Sequence, residues 1–142
     1  MDFNLNEQQR ALTETVRKFA KKELPDIANE IEKNDKPPGR DVLKRFAELG
    51  FLGVNLPTEF GGAGLSHFDA VLVLEEIAKI SIAVAFPIFE SSFGPALAIS
   101  SFAPIELKNK KRPTPNSAAF LANLSVKHVL ISLNLARLNL TL

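Results

Sequence analysis

Leu56-Pro57-Thr58-Glu59-Phe60-Gly61-Gly62-Ala63-Gly64-Leu65 decides how the chain divides. Three glycines fall within four positions, beside a proline and an aromatic. Glycine loses more backbone entropy on folding than any other residue. A cluster therefore marks backbone that takes positive φ or lies close against something. Segments with helical periodicity flank the run on both sides, so it reads as a tight, shaped loop between helices. It is not a nucleotide loop. A P-loop needs Gly-Lys-Ser/Thr opening a helix, and a dinucleotide loop needs G-x-G-x-x-G after a strand.

Upstream of the loop, Asn6 and Gln9 have the spacing of a capping box. Leu12, Val16, Phe19 and Ala20 then recur at helical spacing, which predicts a helix over 7–23. Pro25 ends that helix and opens a second, with Ile27, Ala28 and Ile31 facing inward. Residues 34–39, Asn-Asp-Lys-Pro-Pro-Gly, form a loop. Val42, Leu43, Phe46 and Leu49 mark a third helix, and Gly50 stands where a left-handed C-terminal cap belongs.

Downstream, Ser66 and Asp69 repeat the capping-box spacing before Val71, Leu72, Leu74, Ile77 and Ala78. Residues 81–102 are almost all apolar or small, the composition of a segment buried at a domain centre. Pro87 and Pro95 break or kink it, which leaves at best two or three short helical pieces. Pro104 opens another short helix. From Lys108 the character changes to a basic, turn-prone run and then an acid-free, leucine-rich tail over 116–142. No internal repeat is present. The predicted fold is all-α: an up-and-down bundle of five or six helices, with the glycine-rich loop crossing one end.

The whole chain has 142 residues, enough for one domain with a real core. Its 17 basic and 16 acidic residues leave a net charge of +1, so bulk charge points to no polyanion partner and no nucleic acid. It has no cysteine, which excludes disulfides, thiolate chemistry and cysteine-ligated zinc and fits a cytoplasmic setting. The first seven residues lack the basic and apolar regions of a signal peptide, and no apolar run is expected to be long enough to span a bilayer. The aromatics are 11 phenylalanines with no tyrosine or tryptophan, which makes for dry packing.

These pieces, in this order, resemble the N-terminal helical domain of the acyl-CoA dehydrogenases. Leu5-Asn6-Glu7-Gln8-Gln9-Arg10 is similar to the opening of that family's first helix, and Val16-Arg17-Lys18-Phe19-Ala20 continues it. Glu48-Leu49-Gly50-Phe51-Leu52-Gly53-Val54 resembles the approach to the loop. Pro57-Thr58-Glu59-Phe60-Gly61-Gly62-Ala63-Gly64-Leu65 resembles the family's P-x-E-Y/F-G-G-x-G run. Leu74-Glu75-Glu76-Ile77-Ala78 follows at the expected distance. Ser91-Ser92-Phe93-Gly94-Pro95 is similar to the turn beside the acyl pocket. The resemblance covers about residues 2–111.

The resemblance implies a flavoprotein subunit of three parts: this helical domain, a β-barrel and a C-terminal helical domain, with FAD between the last two. It implies removal of an α-proton of an acyl-CoA by a glutamate while the β-hydride passes to the flavin. No segment here matches the barrel motifs or the catalytic base, so no catalytic residue is expected and the chain alone is expected to be inactive. What carries over is a wall of the acyl-chain pocket, assigned to Phe89, Ser92, Phe93 and Leu97. Residues 1–111 form the family-like domain and 112–142 a separate tail, attributed to a frameshift near Lys111. Expected partners are an acyl-CoA in the intact family, a second copy of the chain, or separate polypeptides supplying the other domains. The competing reading is a free-standing helical interaction module that docks through 81–102 or the tail.

Other tempting residues take plainer readings. Glu75 and Glu76 point about 100° apart on a helix and read as a solvated face. Glu90, alone in an apolar segment, reads as a cap, a kink-side group or a subunit contact. His67 and His128 have no companions that would make a metal site. Lys108, Lys110, Lys111 and Arg112 read as a solvated basic turn. The leucine-rich tail reads as an aggregation-prone extension.

Overall fold

The computed structural model describes residues 4–104. The helix expected after Pro104, the basic run, His128 and the tail lie outside them. The described residues are all-α, with no strand among them. Five α-helices run in the order α1 (Glu7–Asn34), α2 (Arg40–Glu48), α3 (His67–Ala78), α4 (Ile82–Ser92) and α5 (Pro95–Phe102). A single 3₁₀ turn, Thr58–Phe60, lies in the glycine-rich loop between α2 and α3.

Both capping boxes form. The Gln9 amide donates to Asn6 Oδ1 at 2.8 Å, and the Asn6 amide donates back to Gln9 Oε1 at 3.1 Å. At α3 the Ser66 amide donates to Asp69 Oδ2 at 2.9 Å and the Asp69 amide to Ser66 Oγ at 3.1 Å. Each box satisfies amides that the first helical turn leaves free. Gly50 follows α2 with φ at 72°, the left-handed geometry expected of it.

The prolines behave differently from the sequence expectation. The two helices predicted on either side of Pro25 are one helix of 28 residues. Pro25 cannot donate to the carbonyl of Lys21, but both residues are exposed, so water can satisfy the freed oxygen. On the opposite side Val16, Ala20, Leu24 and Ala28 are buried and hold the helix to the core. Pro87 likewise sits inside α4 rather than ending it, and the carbonyl it frees belongs to exposed Ala83. Pro95 acts as expected, at the first position of α5 after the Phe93-Gly94 turn.

The core lies where α1 packs on α3 and α4, and α4 packs on α3 and α5. Val16, Leu24, Phe46, Val73, Ile77, Val84 and Ile88 are completely buried. Phe19 meets Phe51 edge-on at 5.3 Å between ring centres, and Phe46 at 6.1 Å. Three elements, α1, α2 and the start of the loop, are thereby locked through offset aromatic contacts. The loop then folds back on itself. Leu65 and Ala63 donate their amides to the carbonyls of Val54 and Gly53, and Gly64 donates to Leu56. At Gly62 a Cβ would fall 2.1 Å from the Leu56 carbonyl oxygen, so only glycine permits this closure.

Segment 81–102 is not buried on all sides. It buries Val84, Ala85, Pro87 and Ile88 but leaves Ile82, Ala83, Phe86 and Phe89 outside. By length and apolar composition alone, the 21 residues Ile82–Phe102 would suffice to cross a membrane, contrary to the sequence expectation. They are instead divided at Phe93-Gly94, and part of their surface is packed against α3 and α1.

Candidate functional site: the outer face of α4

The Ser81 hydroxyl starts α4 by accepting the Val84 amide at 3.4 Å. From there every exposed position of the helix is apolar: Ile82, Ala83, Phe86 and Phe89. Helical spacing puts Ile82, Phe86, Phe89 and Phe93 on one side. The rings run in sequence, with centroids 6.0 Å apart from Phe86 to Phe89 and 6.1 Å from Phe89 to Phe93. Phe89 is 42% exposed and Phe93 half-buried. Beyond the turn, half-buried Leu97 packs on Leu56 and Ala96, joining α5 to the glycine-rich loop.

The four sequence-assigned wall residues therefore divide. Phe89, Phe93 and Leu97 keep surface for a ligand. Ser92 does not: it is completely buried, and its carbonyl accepts from Asn55 Nδ2 at 2.9 Å. Phe86, three residues before Phe89, shares the same exposed face and was not among the four. The helix is also pinned from behind by the loop. The Gly53 amide donates to Ser91 Oγ at 3.1 Å, and that hydroxyl donates to the Ile88 carbonyl at 3.0 Å. The glycine-rich loop thus positions the aromatic face without contributing to it chemically.

Glu90 is 4% exposed, so it is neither a solvent-side cap nor an open subunit contact. Among the described residues its Oε2 has no hydrogen-bond partner, nor have Asn55 Oδ1 and Ser92 Oγ. Buried polar atoms of this kind take ordered water where space allows.

The main departure in charge is at Glu76. Glu75 is exposed as expected, but Glu76 is 4% exposed and held between α1 and α3. Arg17 donates to both its oxygens, Nε to Oε2 at 2.9 Å and Nη2 to Oε1 at 3.0 Å, and Lys79 Nζ donates at 2.7 Å. The Arg17 hydrogen bonds outweigh the burial that opposes them and, with Lys79, hold the Glu76 carboxyl down at about 2. Gln9 makes a second α1–α3 link by donating to Asp69 Oδ1 at 3.1 Å. Burial pushes Asp69 up, but the Ser66 and Gln9 hydrogen bonds win and its carboxyl lies below the ordinary range. Residues 59–60 positions apart make these links, so spacing along one helix could not reveal them.

Among the described residues, two hollows lie away from this face. One of 490 Å³ runs beside the first half of α1 past Arg10, Arg17 and Lys21. The other, of 230 Å³, lies between the end of α1 and the start of α2. Neither is lined by the α4 residues. His67 is the exposed first residue of α3, and no cluster of metal-ligating side chains occurs among the described residues.

The chain resembles known proteins in sequence and in fold. The sequence profile for "Acyl-CoA dehydrogenase, N-terminal domain" matches residues 6–114. Glutaryl-CoA dehydrogenase of Desulfococcus multivorans is 32% identical over 128 residues, which is 89% of this chain and 33% of that protein. Mitochondrial isovaleryl-CoA dehydrogenase of Bos taurus is 41% identical over 81 residues, 56% of this chain and 19% of that protein. A chain in a solved structure described as an electron transferring flavoprotein of Acidaminococcus fermentans superposes with a TM-score of 0.72 at 30% identity. That superposition covers 83% of this chain and 30% of the other. The chain spans a third or less of the length of these relatives. On the profile match, the shared helical architecture and the loop that pins α4, the chain belongs to the acyl-CoA dehydrogenase family, of which it carries the N-terminal domain.

Proposed function

We propose that the chain supplies one wall of the acyl-chain pocket of an acyl-CoA dehydrogenase subunit and is inactive by itself. The observation that carries this is the outer face of α4. Phe86, Phe89 and Phe93 form a continuous strip of rings, and no exposed position of the helix bears a charge or a hydrogen-bonding side chain. Such a surface suits the hydrocarbon of a fatty thioester, which gains from leaving water. Leu97 extends the wall, and Ser92 supports it from inside by holding Asn55.

Flavin use belongs to the family. When bound in the complete enzyme, FAD would supply the hydride acceptor for the acyl chain's oxidation. The α4 face does not fit that cofactor, because a dinucleotide's phosphates require amide or cationic donors that its exposed positions lack. The role assigned to these residues is to exclude water and align the chain. Abstraction of the α-proton falls to groups outside residues 4–104. The complete enzyme's substrate class is acyl-CoA, and an electron-transferring flavoprotein is proposed as its redox partner on the likeness to the Acidaminococcus structure. A cytoplasmic location goes with this reading, supported by the cysteine-free composition.

The boundary near Lys111 and the frameshift remain part of the proposal. The alignment with the Desulfococcus protein takes in more than residues 1–111. The nucleotide sequence decides: a barrel-like continuation in the neighbouring frame supports the frameshift, and its absence ends that idea. Function is tested by incubating the purified chain with FAD, desalting it, and offering acyl-CoA with a reducible dye. The reading expects no retained flavin and no dye reduction. Retained flavin with turnover overturns it.

A further inference from the structure

Charge is segregated along α1 in a way that the net charge of +1 conceals. Residues 10–22 carry five cations, Arg10, Arg17, Lys18, Lys21 and Lys22, against one carboxylate, Glu14. Residues 23–32 carry four carboxylates and no cation. Arg17 with Lys21 and Lys18 with Lys22 are like-charge pairs four residues apart, which destabilise a helix. A local rule broken without a structural gain points to a site. Ion pairing answers only part of the basic half. Glu76 holds Arg17, and Glu14 holds Lys18 at 2.7 Å. Arg10, Lys21 and Lys22 have no anionic partner among the described residues.

The same half of α1 borders the 490 Å³ hollow, into which Arg10, Arg17, Lys18 and Lys21 converge around Glu14. Positions 10, 14, 17 and 21 share one side of the helix. We propose that this hollow binds a small polyphosphate, an extended anion of the di- or triphosphate class, with Arg10 and Lys21 at its ends and Arg17 between them. Arg10 and Lys21 lie about 16 Å apart along the helix axis, so a single phosphate does not meet both, whereas a chain of phosphates does. Arg17 gives Nε and Nη2 to Glu76 and keeps Nη1 for the ligand. Guanidinium groups offer paired donors to phosphate oxygens, and the lysine adds a mobile point charge. The volume lies in the ordinary range of ligand sites. No aromatic ring lines the hollow among the described residues, so nothing there stacks a nucleoside base. Glu14 is the one repulsive group, and Lys18 offsets it. The site lies on α1, away from the α4 strip, so it and the acyl-wall reading stand or fall separately.

The test is isothermal titration of the full chain with tripolyphosphate at about 50 and about 500 mM salt, which screens exposed charge strongly only at the higher value. The expected result is one tripolyphosphate per chain, bound about fivefold or more weakly at the higher salt. Inorganic phosphate binds about tenfold or more weakly than tripolyphosphate, because it reaches one end only. Arg10→Ala and Lys21→Ala each weaken tripolyphosphate about tenfold. Both positions are exposed on a helix where alanine is favoured, and circular dichroism checks that the fold is kept. Glu14→Gln removes the repulsive carboxylate and releases Lys18, so it tightens binding about threefold, which a damaged fold would not do. Lys33→Ala, at the far end of α1, and the double change Lys110→Ala with Lys111→Ala leave the affinity unchanged. Absence of binding at the lower salt, equal affinity for inorganic phosphate, or loss of binding in the 110–111 variant with none in Arg10→Ala and Lys21→Ala overturns the proposal.

Discussion

Replacing Glu76 by glutamine removes one charge from the α1–α3 interface while keeping its shape. The carboxyl falls from an ordinary 4.5 to about 2 on folding. At about 1.4 kcal/mol for each tenfold change in proton affinity, that fall corresponds to about 3 kcal/mol. Arg17 and Lys79 are half-exposed, at 48% and 50%, and solvent screening around them lowers the figure to about 2 kcal/mol. The folded-state value is depressed, so this stability is fully present above pH 4.5 and is lost as pH falls toward 2. Glu76→Gln should therefore lower urea-unfolding stability by about 2 kcal/mol at pH 7, or Tm by roughly 10 °C for a domain this size. At pH 3 roughly half of the difference should remain, and near pH 2 the natural chain and the variant should unfold together. Equal stability at pH 7, or a difference that stays constant down to pH 2, would refute the claim that an ionised Glu76 links the two helices.

Phe46 is completely buried and touches both Phe19 and Phe51, so Phe46→Ala should cost about 3–5 kcal/mol in chemical denaturation. Gly62→Ala drives a methyl against the Leu56 carbonyl; about 2 kcal/mol of lost stability is expected, together with faster proteolysis at residues 57–64. Ser66→Ala removes the hydroxyl that caps α3 and should cost about 1 kcal/mol, seen as a drop in the thermal midpoint.

Local signals in the sequence were reliable where the physics was local. Asn6 with Gln9, Ser66 with Asp69, Gly50 and Gly62 each act within a few residues, and each does what its spacing implied. Pro25 misled because a proline's cost depends on whether the freed carbonyl reaches water, and that depends on which side of the helix the tertiary structure leaves open. Glu76 was unreadable for a related reason. Its main partner, Arg17, lies 59 positions away, and only the packing of α3 on α1 brings them together. At the candidate site, Phe89 and Phe93 were legible only through the resemblance of residues 91–95 to the turn beside the family's acyl pocket. Ser92 turns inward because α4 meets the glycine-rich loop on that side, and sequence does not say which side that is.

The central claim is that the α4 strip touches the acyl chain. It is tested most directly in a chimaera in which residues 1–111 replace the matching N-terminal domain of bovine isovaleryl-CoA dehydrogenase. The measurement is kcat/KM over a series of acyl-CoA chain lengths, with and without Phe89→Ala and Phe93→Ala. The account predicts an active, flavin-loaded enzyme whose preference moves toward bulkier or longer chains when either ring is removed. A folded, active chimaera whose chain-length profile is indifferent to both substitutions would contradict it.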